Sequence, residues 1–113
     1  MDKSLLRKEY CTRRECIPDV ESAAASASLC RRLAEWPRLR EARTVMAYLA
    51  FRHEPDVSRL FELLPEVRWA VPRIEGRQLI AHVYDPAHLV RHRFGMLEPA
   101  AHLPVVAASE LDM

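Results

Sequence analysis

Two features of this 113-residue chain are built for chemistry: a carboxylate at the end of an apolar run, and a pair of cations near the N-terminus. Glu54 closes the stretch Thr44-Val45-Met46-Ala47-Tyr48-Leu49-Ala50-Phe51-Arg52-His53-Glu54. Its apolar part runs from Val45 to Phe51 without alternation, as in a strand buried on both faces of a parallel sheet. Ligands of open α/β sheets sit outside the carboxyl ends of the strands, so Glu54 is a candidate for substrate contact. The alternative is a carboxylate placed before the next helix for dipole reasons. Lys3 and Arg7 are four apart and project from one side of a helix. An ammonium and a planar guanidinium together suit a polyphosphate, although the same pair also reads as a solvated basic face.

Other chemistries find less support. Five histidines are scattered, and His88 and His92, four apart, lack a third ligand in local sequence, so no metal ligands are assigned. Cys11, Cys16 and Cys30 show no zinc spacing and read as reduced thiols of a cytoplasmic chain. The 17 Lys+Arg against 16 Asp+Glu leave a formal charge of +1, which gives no field for nucleic acid. No apolar run approaches the roughly 18 to 20 residues of a membrane span, and no signal-peptide core follows the charged start. Gly76 and Gly95 are the two glycines, too few for a phosphate-cradling loop.

These residues need elements to position them. Asp2 caps a predicted helix over Lys3 to Glu15, with Leu5, Leu6 and Tyr10 near one face, ended by Ile17-Pro18. A second helix is predicted from Asp19 to about Trp36, stopped by Pro37, with Ala24, Ala27, Leu29, Cys30, Leu33 and Ala34 on its buried side. Arg38 to Arg43 reads as a polar connection into the Thr44 strand. Val57, Leu60, Phe61 and Leu64 predict a helix over Asp56 to Leu64, and Val67 to Val71 a short strand with Pro72-Arg73 at its carboxyl end. Strand, helix and strand within about thirty residues have the size of a right-handed parallel βαβ unit. Gly76 then turns the chain into an antiparallel strand over Gln78 to Tyr84, broken by Asp85-Pro86. Ala87 to Met113 reads as loop-rich, ending in what looks like the approach to another strand.

Four segments carry a resemblance: Lys3-Ser4-Leu5-Leu6-Arg7, the run from Thr44-Val45-Met46-Ala47-Tyr48-Leu49 to Glu54, Val71-Pro72-Arg73, and Phe94-Gly95-Met96-Leu97-Glu98-Pro99. In this order and spacing the chain resembles the 5-formyltetrahydrofolate cyclo-ligases, or 5,10-methenyltetrahydrofolate synthetases. The resemblance implies an α/β fold, a three-layer Rossmann-like sheet with helices on both faces. It implies ATP-dependent conversion of 5-formyltetrahydrofolate to 5,10-methenyltetrahydrofolate, with Mg²⁺ on the nucleotide. The formyl oxygen is phosphorylated and N10 attacks the activated carbon, so the protein's task is to align the phosphoryl group and neutralise charge.

Carried over by residue, Lys3, Ser4, Leu5, Leu6 and Arg7 match the segment that contacts ATP. Arg7, Leu49 and Glu54 match substrate-binding positions, Glu54 suiting the N–H donors of the pterin. Arg73 and Glu98 fall in similar motifs without an assigned role, and no catalytic residue is assigned. The family continues into a glycine-rich, tyrosine-containing segment and an aspartate for Mg²⁺. Residues 1–113 therefore read as the N-terminal portion of a single domain that is monomeric when complete. Alone, the portion is expected to be inactive, with an exposed sheet edge. The alternatives are a non-enzymatic folate- or nucleotide-binding remnant and another Rossmann-like enzyme handling sugar phosphates or CoA.

Overall fold

The computed structural model describes residues 2–113 and shows a mixed α/β fold. Four α-helices are present among the described residues: α1 (Lys3–Glu15), α2 (Asp19–Ala34), α3 (Pro37–Arg40) and α4 (Leu60–Leu63). Strands β1 (Thr44–Met46), β2 (Arg68–Glu75), β3 (Gln78–Val83) and β6 (Val105–Val106) form one sheet in the order β1-β2-β3-β6. β4 (Leu89–Arg91) and β5 (Leu97–Pro99) pair as a separate hairpin. The β1–α4–β2 unit is parallel, with Val45 opposite Trp69, and β2 and β3 are antiparallel, with Val71 opposite His82. Their two-residue turn starts at Gly76, whose φ of +60° suits glycine.

The core lies between the sheet and α2, α3 and α4. Cys30, Leu39, Val45, Val57, Leu60, Val67 and Trp69 form it, with Phe61 and Tyr84 packed against them. Phe61 stacks at tilted angles on Trp69 and Tyr84, with ring centroids 5.0 and 4.3 Å apart. The indole N–H of Trp69 donates to the Leu64 carbonyl at 3.1 Å, so the ring is buried without leaving its polar atom unpaired. Ser26 on α2 is buried and accepts from the Asp56 amide at 2.9 Å, and the Cys30 thiol donates to the Asp56 carbonyl at 3.4 Å. The small residues of α2 thus let the loop before α4 lie against the helix. Burial pushes the Cys30 thiol up in pKa, as expected of an unreactive packing cysteine.

Several element boundaries differ from those the sequence predicts. The Val45–Phe51 run is not a strand buried on both faces: β1 ends at Met46, and Met46 and Tyr48 are exposed to 40% and 41%. The predicted polar connection Arg38 to Arg43 is partly helical: Pro37 opens α3, because proline fits a first helical turn, and Leu39 of that turn is buried. The α4 helix is four residues, not nine, since the Asp56 carboxylate accepts from the Ser58 amide and holds that stretch as a turn. Ala24 is exposed and Ser26 takes the buried position on α2. On α1, Leu5 and Tyr10 are exposed to 62% and 60%, so the predicted apolar face is uncovered among the described residues. The tail contains β4, β5 and β6 rather than loop alone. His88 and His92 do not share a helix, and His88 packs edge-on against His102.

β2 runs on through Pro72 to Glu75, whereas the sequence predicts a strand over Val67 to Val71. Backbone bonds from Tyr84 N–H to the Trp69 carbonyl and from Ala47 N–H to the Ala70 carbonyl fix which way each residue points. Even-numbered residues of β2 direct their backbone groups toward β1, and β1 has already left the sheet opposite Pro72. The missing N–H therefore breaks no ladder bond.

Beyond β1, Asp112 donates from its amide to the Thr44 carbonyl, and the Met46 amide donates to the Met113 carbonyl, each at 2.9 Å. The Asp112 carboxylate accepts from the Arg43 and Thr44 amides at 2.9 and 3.0 Å, and these bonds hold its pKa below the usual aspartate value. Among the described residues, no helix is long and apolar enough to cross a membrane.

Two stability outcomes follow from this packing. Trp69→Ala removes the centre of the aromatic cluster and should cost about 3–5 kcal/mol in urea unfolding. Asp112→Ala should destabilise at neutral pH. Because the folded-state pKa is depressed, the wild-type advantage exists above about pH 4, the unfolded aspartate value. It shrinks as pH falls through the lower folded value, and a pH-independent difference in unfolding midpoint would contradict this.

Candidate functional site

Where β1 stops and β2 continues, a cleft of about 290 Å³ opens. Tyr48, Leu49, Phe51 and Glu54 come from the segment after β1, Pro72 and Ile74 from β2, Leu79 from β3, and Met96, Leu97 and Glu98 from the turn and strand of the β4–β5 hairpin. The sequence-predicted substrate residues Leu49 and Glu54 therefore share one site.

The backbone that presents Glu54 is unusual. Arg52 and His53 have φ of +53° and +58°, a left-handed conformation that costs roughly 1 kcal/mol or more per non-glycine residue. The Glu54 amide donates to the Phe51 carbonyl at 3.2 Å, and three side-chain hydrogen bonds hold the turn. The Glu54 carboxylate reaches back and accepts from the Phe51 amide at 2.8 Å. Arg14 near the end of α1 donates to the Arg52 carbonyl at 2.9 Å, and His53 Nε2 meets the Asp19 carboxylate at the start of α2 at 2.7 Å. Glu54 does not cap α4, because five residues separate it from Leu60. One oxygen, Oε1, is engaged, and no partner for Oε2 is found among the described residues.

The hairpin wall is fixed in a similar way. Gly95 has a φ of +98°, and a Cβ added there would lie 3.4 Å from the Phe51 ring, so the hairpin turn sits directly on that ring. Glu98 Oε2 accepts from the Ile74 amide at 3.2 Å, satisfying a β2 edge donor that β1 no longer reaches. Glu54 and Glu98 are the charged side chains among the ten lining residues, the rest being apolar apart from the Tyr48 phenol. Tyr48 donates its hydroxyl to the Pro55 carbonyl. Burial first, then the nearby carboxylates of Glu54 and Asp56, push the Tyr48 phenol up in pKa.

Arg73, the other motif residue without a predicted role, alternates to the opposite face of β2. Its Nε donates at 3.0 Å to Nε2 of His82, whose Nδ1 lies 2.8 Å from the Leu103 carbonyl. Arginine Nε only donates, so Nε2 of the fully buried His82 accepts, Nδ1 carries the proton, and the imidazole is neutral. The pair joins β2 and β3 to the segment before β6 and has no part in the cleft.

Lys3, Ser4, Leu5, Leu6 and Arg7 are outside the cleft, on the first two turns of α1. Asp2 caps that helix by accepting from the Ser4 amide at 3.0 Å. Lys3 and Arg7 are exposed, and among the described residues neither pairs with a carboxylate. Two cations one helical turn apart fit a polyphosphate. No group of three or more His, Cys, Asp or Glu side chains suited to a metal forms among the described residues.

The family model for the 5-formyltetrahydrofolate cyclo-ligase family matches residues 1–113. The NMR structure of 5,10-methenyltetrahydrofolate synthetase from Aquifex aeolicus is similar with a TM-score of 0.84 at 28% identity, over 98% of this chain and 58% of that one. The synthetase from Mycoplasma pneumoniae gives a TM-score of 0.67 at 21% identity, over 74% of this chain and 54% of its own, a likeness of fold. The chain thus spans little more than half the length of these two solved proteins. A comparison with curated protein sequences gives no match. The family model matches the chain from end to end, and the chain belongs to the 5-formyltetrahydrofolate cyclo-ligase family.

Proposed function

We propose that the cleft takes the pterin of 5-formyltetrahydrofolate, and that the chain contributes this site to ATP-dependent formation of 5,10-methenyltetrahydrofolate in one-carbon metabolism. The observation that carries the reading is the company Glu54 keeps: an apolar slot whose charged lining groups are carboxylates. A flat heterocycle bearing N–H donors is complementary to such a slot, whereas a phosphate would be repelled. Leu49 supplies wall, and Glu54 accepts from the 2-amino and N3–H groups of the ring. Its second oxygen is available for this while the first stays on the Phe51 amide.

ATP supplies the phosphoryl group that makes the formyl oxygen a leaving group, with Mg²⁺ travelling on the nucleotide. Lys3 and Arg7 hold its phosphates, within the segment Lys3 to Arg7, and Arg7 also reaches the folate. Support comes from the joint between the two parts: α1 carries the cations at one end and, through Arg14 at the other, fixes the turn that presents Glu54. Nucleotide and folate sites are thereby referred to one rigid element, as in-line transfer requires. The three cysteines are free thiols, which suits the reducing cytoplasm.

Calorimetric titration tests both halves of this reading. Glu54→Gln should weaken 5-formyltetrahydrofolate about 10- to 100-fold, the value of hydrogen bonds to a charged group, and leave Mg-ATP unchanged. The double variant Lys3→Ala/Arg7→Ala should weaken Mg-ATP by a similar factor. Folate affinity indifferent to Glu54→Gln, or a folded wild-type chain that binds no folate, would count against the pterin site.

A further inference from the structure

Glu98 shares the cleft with Glu54, yet the Ile74 amide engages only one of its oxygens. We infer that Glu98 is a second substrate-positioning residue of the cleft, accepting from the ring N8–H of the bound folate. The inference rests on the pterin reading of the site and deepens it.

Three observations converge. First, the two carboxylates come from different elements, Glu54 from the loop after β1 and Glu98 from β5, so they approach a shared ligand along different edges. Second, each is oriented by a backbone amide, of Phe51 for Glu54 and of Ile74 for Glu98, which spends one oxygen and leaves the other. A carboxylate offers about four acceptor positions, so one protein bond does not exhaust it. Third, among the described residues no cation lines the cleft beside these two negative groups. Both side chains are only half-buried, so the free oxygen of each is open to donors that a ligand brings.

The chemistry of the ligand then assigns the second contact. In 5-formyltetrahydrofolate the formyl group blocks N5, which leaves N3–H and N8–H as the ring N–H groups. With N3–H and the 2-amino group on Glu54, N8–H is the remaining ring donor. The alternative role, an edge cap for β2, needs the hydrogen bond to Ile74 and no charge. The two roles therefore separate experimentally.

The test titrates the whole chain with 5-formyltetrahydrofolate and with an analogue carrying CH₂ in place of N8–H. Wild type should prefer the parent by about tenfold or more. Glu98→Gln keeps an oxygen for the Ile74 amide, so the exchange rate of that amide and the Tm should hold. Parent affinity should fall about 10- to 100-fold, and the preference over the analogue should vanish. Equal affinity of wild type for parent and analogue overturns the inference without recourse to any variant. Wild-type affinity in Glu98→Gln, with Glu54→Gln weakened, overturns the role of Glu98 alone. Absence of folate binding by the wild-type chain overturns the site itself.

Discussion

The structure turns on a mismatch in length between two paired strands. β1 leaves the sheet after Met46, while β2 continues to Glu75. A strand whose neighbour departs presents unpaired donors and acceptors, which are then satisfied by other groups or absent from the start. Both solutions occur within three residues. Pro72 brings no donor, and the Ile74 donor is taken by Glu98 from another hairpin. The space vacated by β1 becomes the cleft, so the departure that costs ladder bonds also creates the candidate site.

A second constraint is the turn at Arg52 and His53. Two adjacent non-glycine residues in the left-handed region are not held by local preference, so the surroundings must impose them. α1 and α2 supply that restraint from two sides, and Glu54 closes the turn on the Phe51 amide. The outcome is a carboxylate whose position is referred to the helices rather than to a free loop. Orientation of that kind lowers the entropy lost when a ligand binds. α1, whose apolar residues remain exposed, is tied to the fold at its far end, leaving the end that carries Lys3 and Arg7 accessible.

Much of this was readable in the chain. The parallel βαβ unit, the antiparallel β3 and the start of α2 follow from apolar runs and from Pro18 and Gly76, because backbone restrictions act locally. Glu54 stands out by its place after the apolar run as well as by motif resemblance, and Leu49 by the resemblance alone. Other features depend on partners distant in sequence. The apolar run to Phe51 signals surface to be covered, but not whether a strand, another segment or a ligand covers it, so it does not reveal that Met46 and Tyr48 are exposed. Pro72 looks like a terminator until the register reveals that its nitrogen faces a vacated edge. His82 is fully buried, and its burial depends on Arg73 and on the Leu103 carbonyl, 21 residues away. Glu98 sat in a recognised motif, yet only the fold brings it beside Glu54.

The central claim is that the space left by β1 is where folate binds. Backbone NMR of the chain during titration with 5-formyltetrahydrofolate addresses it most directly, since the Phe51 and Ile74 amides report on the two carboxylates that line the cleft. The account predicts that the largest saturable shifts fall on Phe51, Ile74 and the residues from Met96 to Glu98. Shifts concentrated instead between α2 and α4, around Asp19, Ser26 and Arg59, would place the ligand in another groove and contradict it.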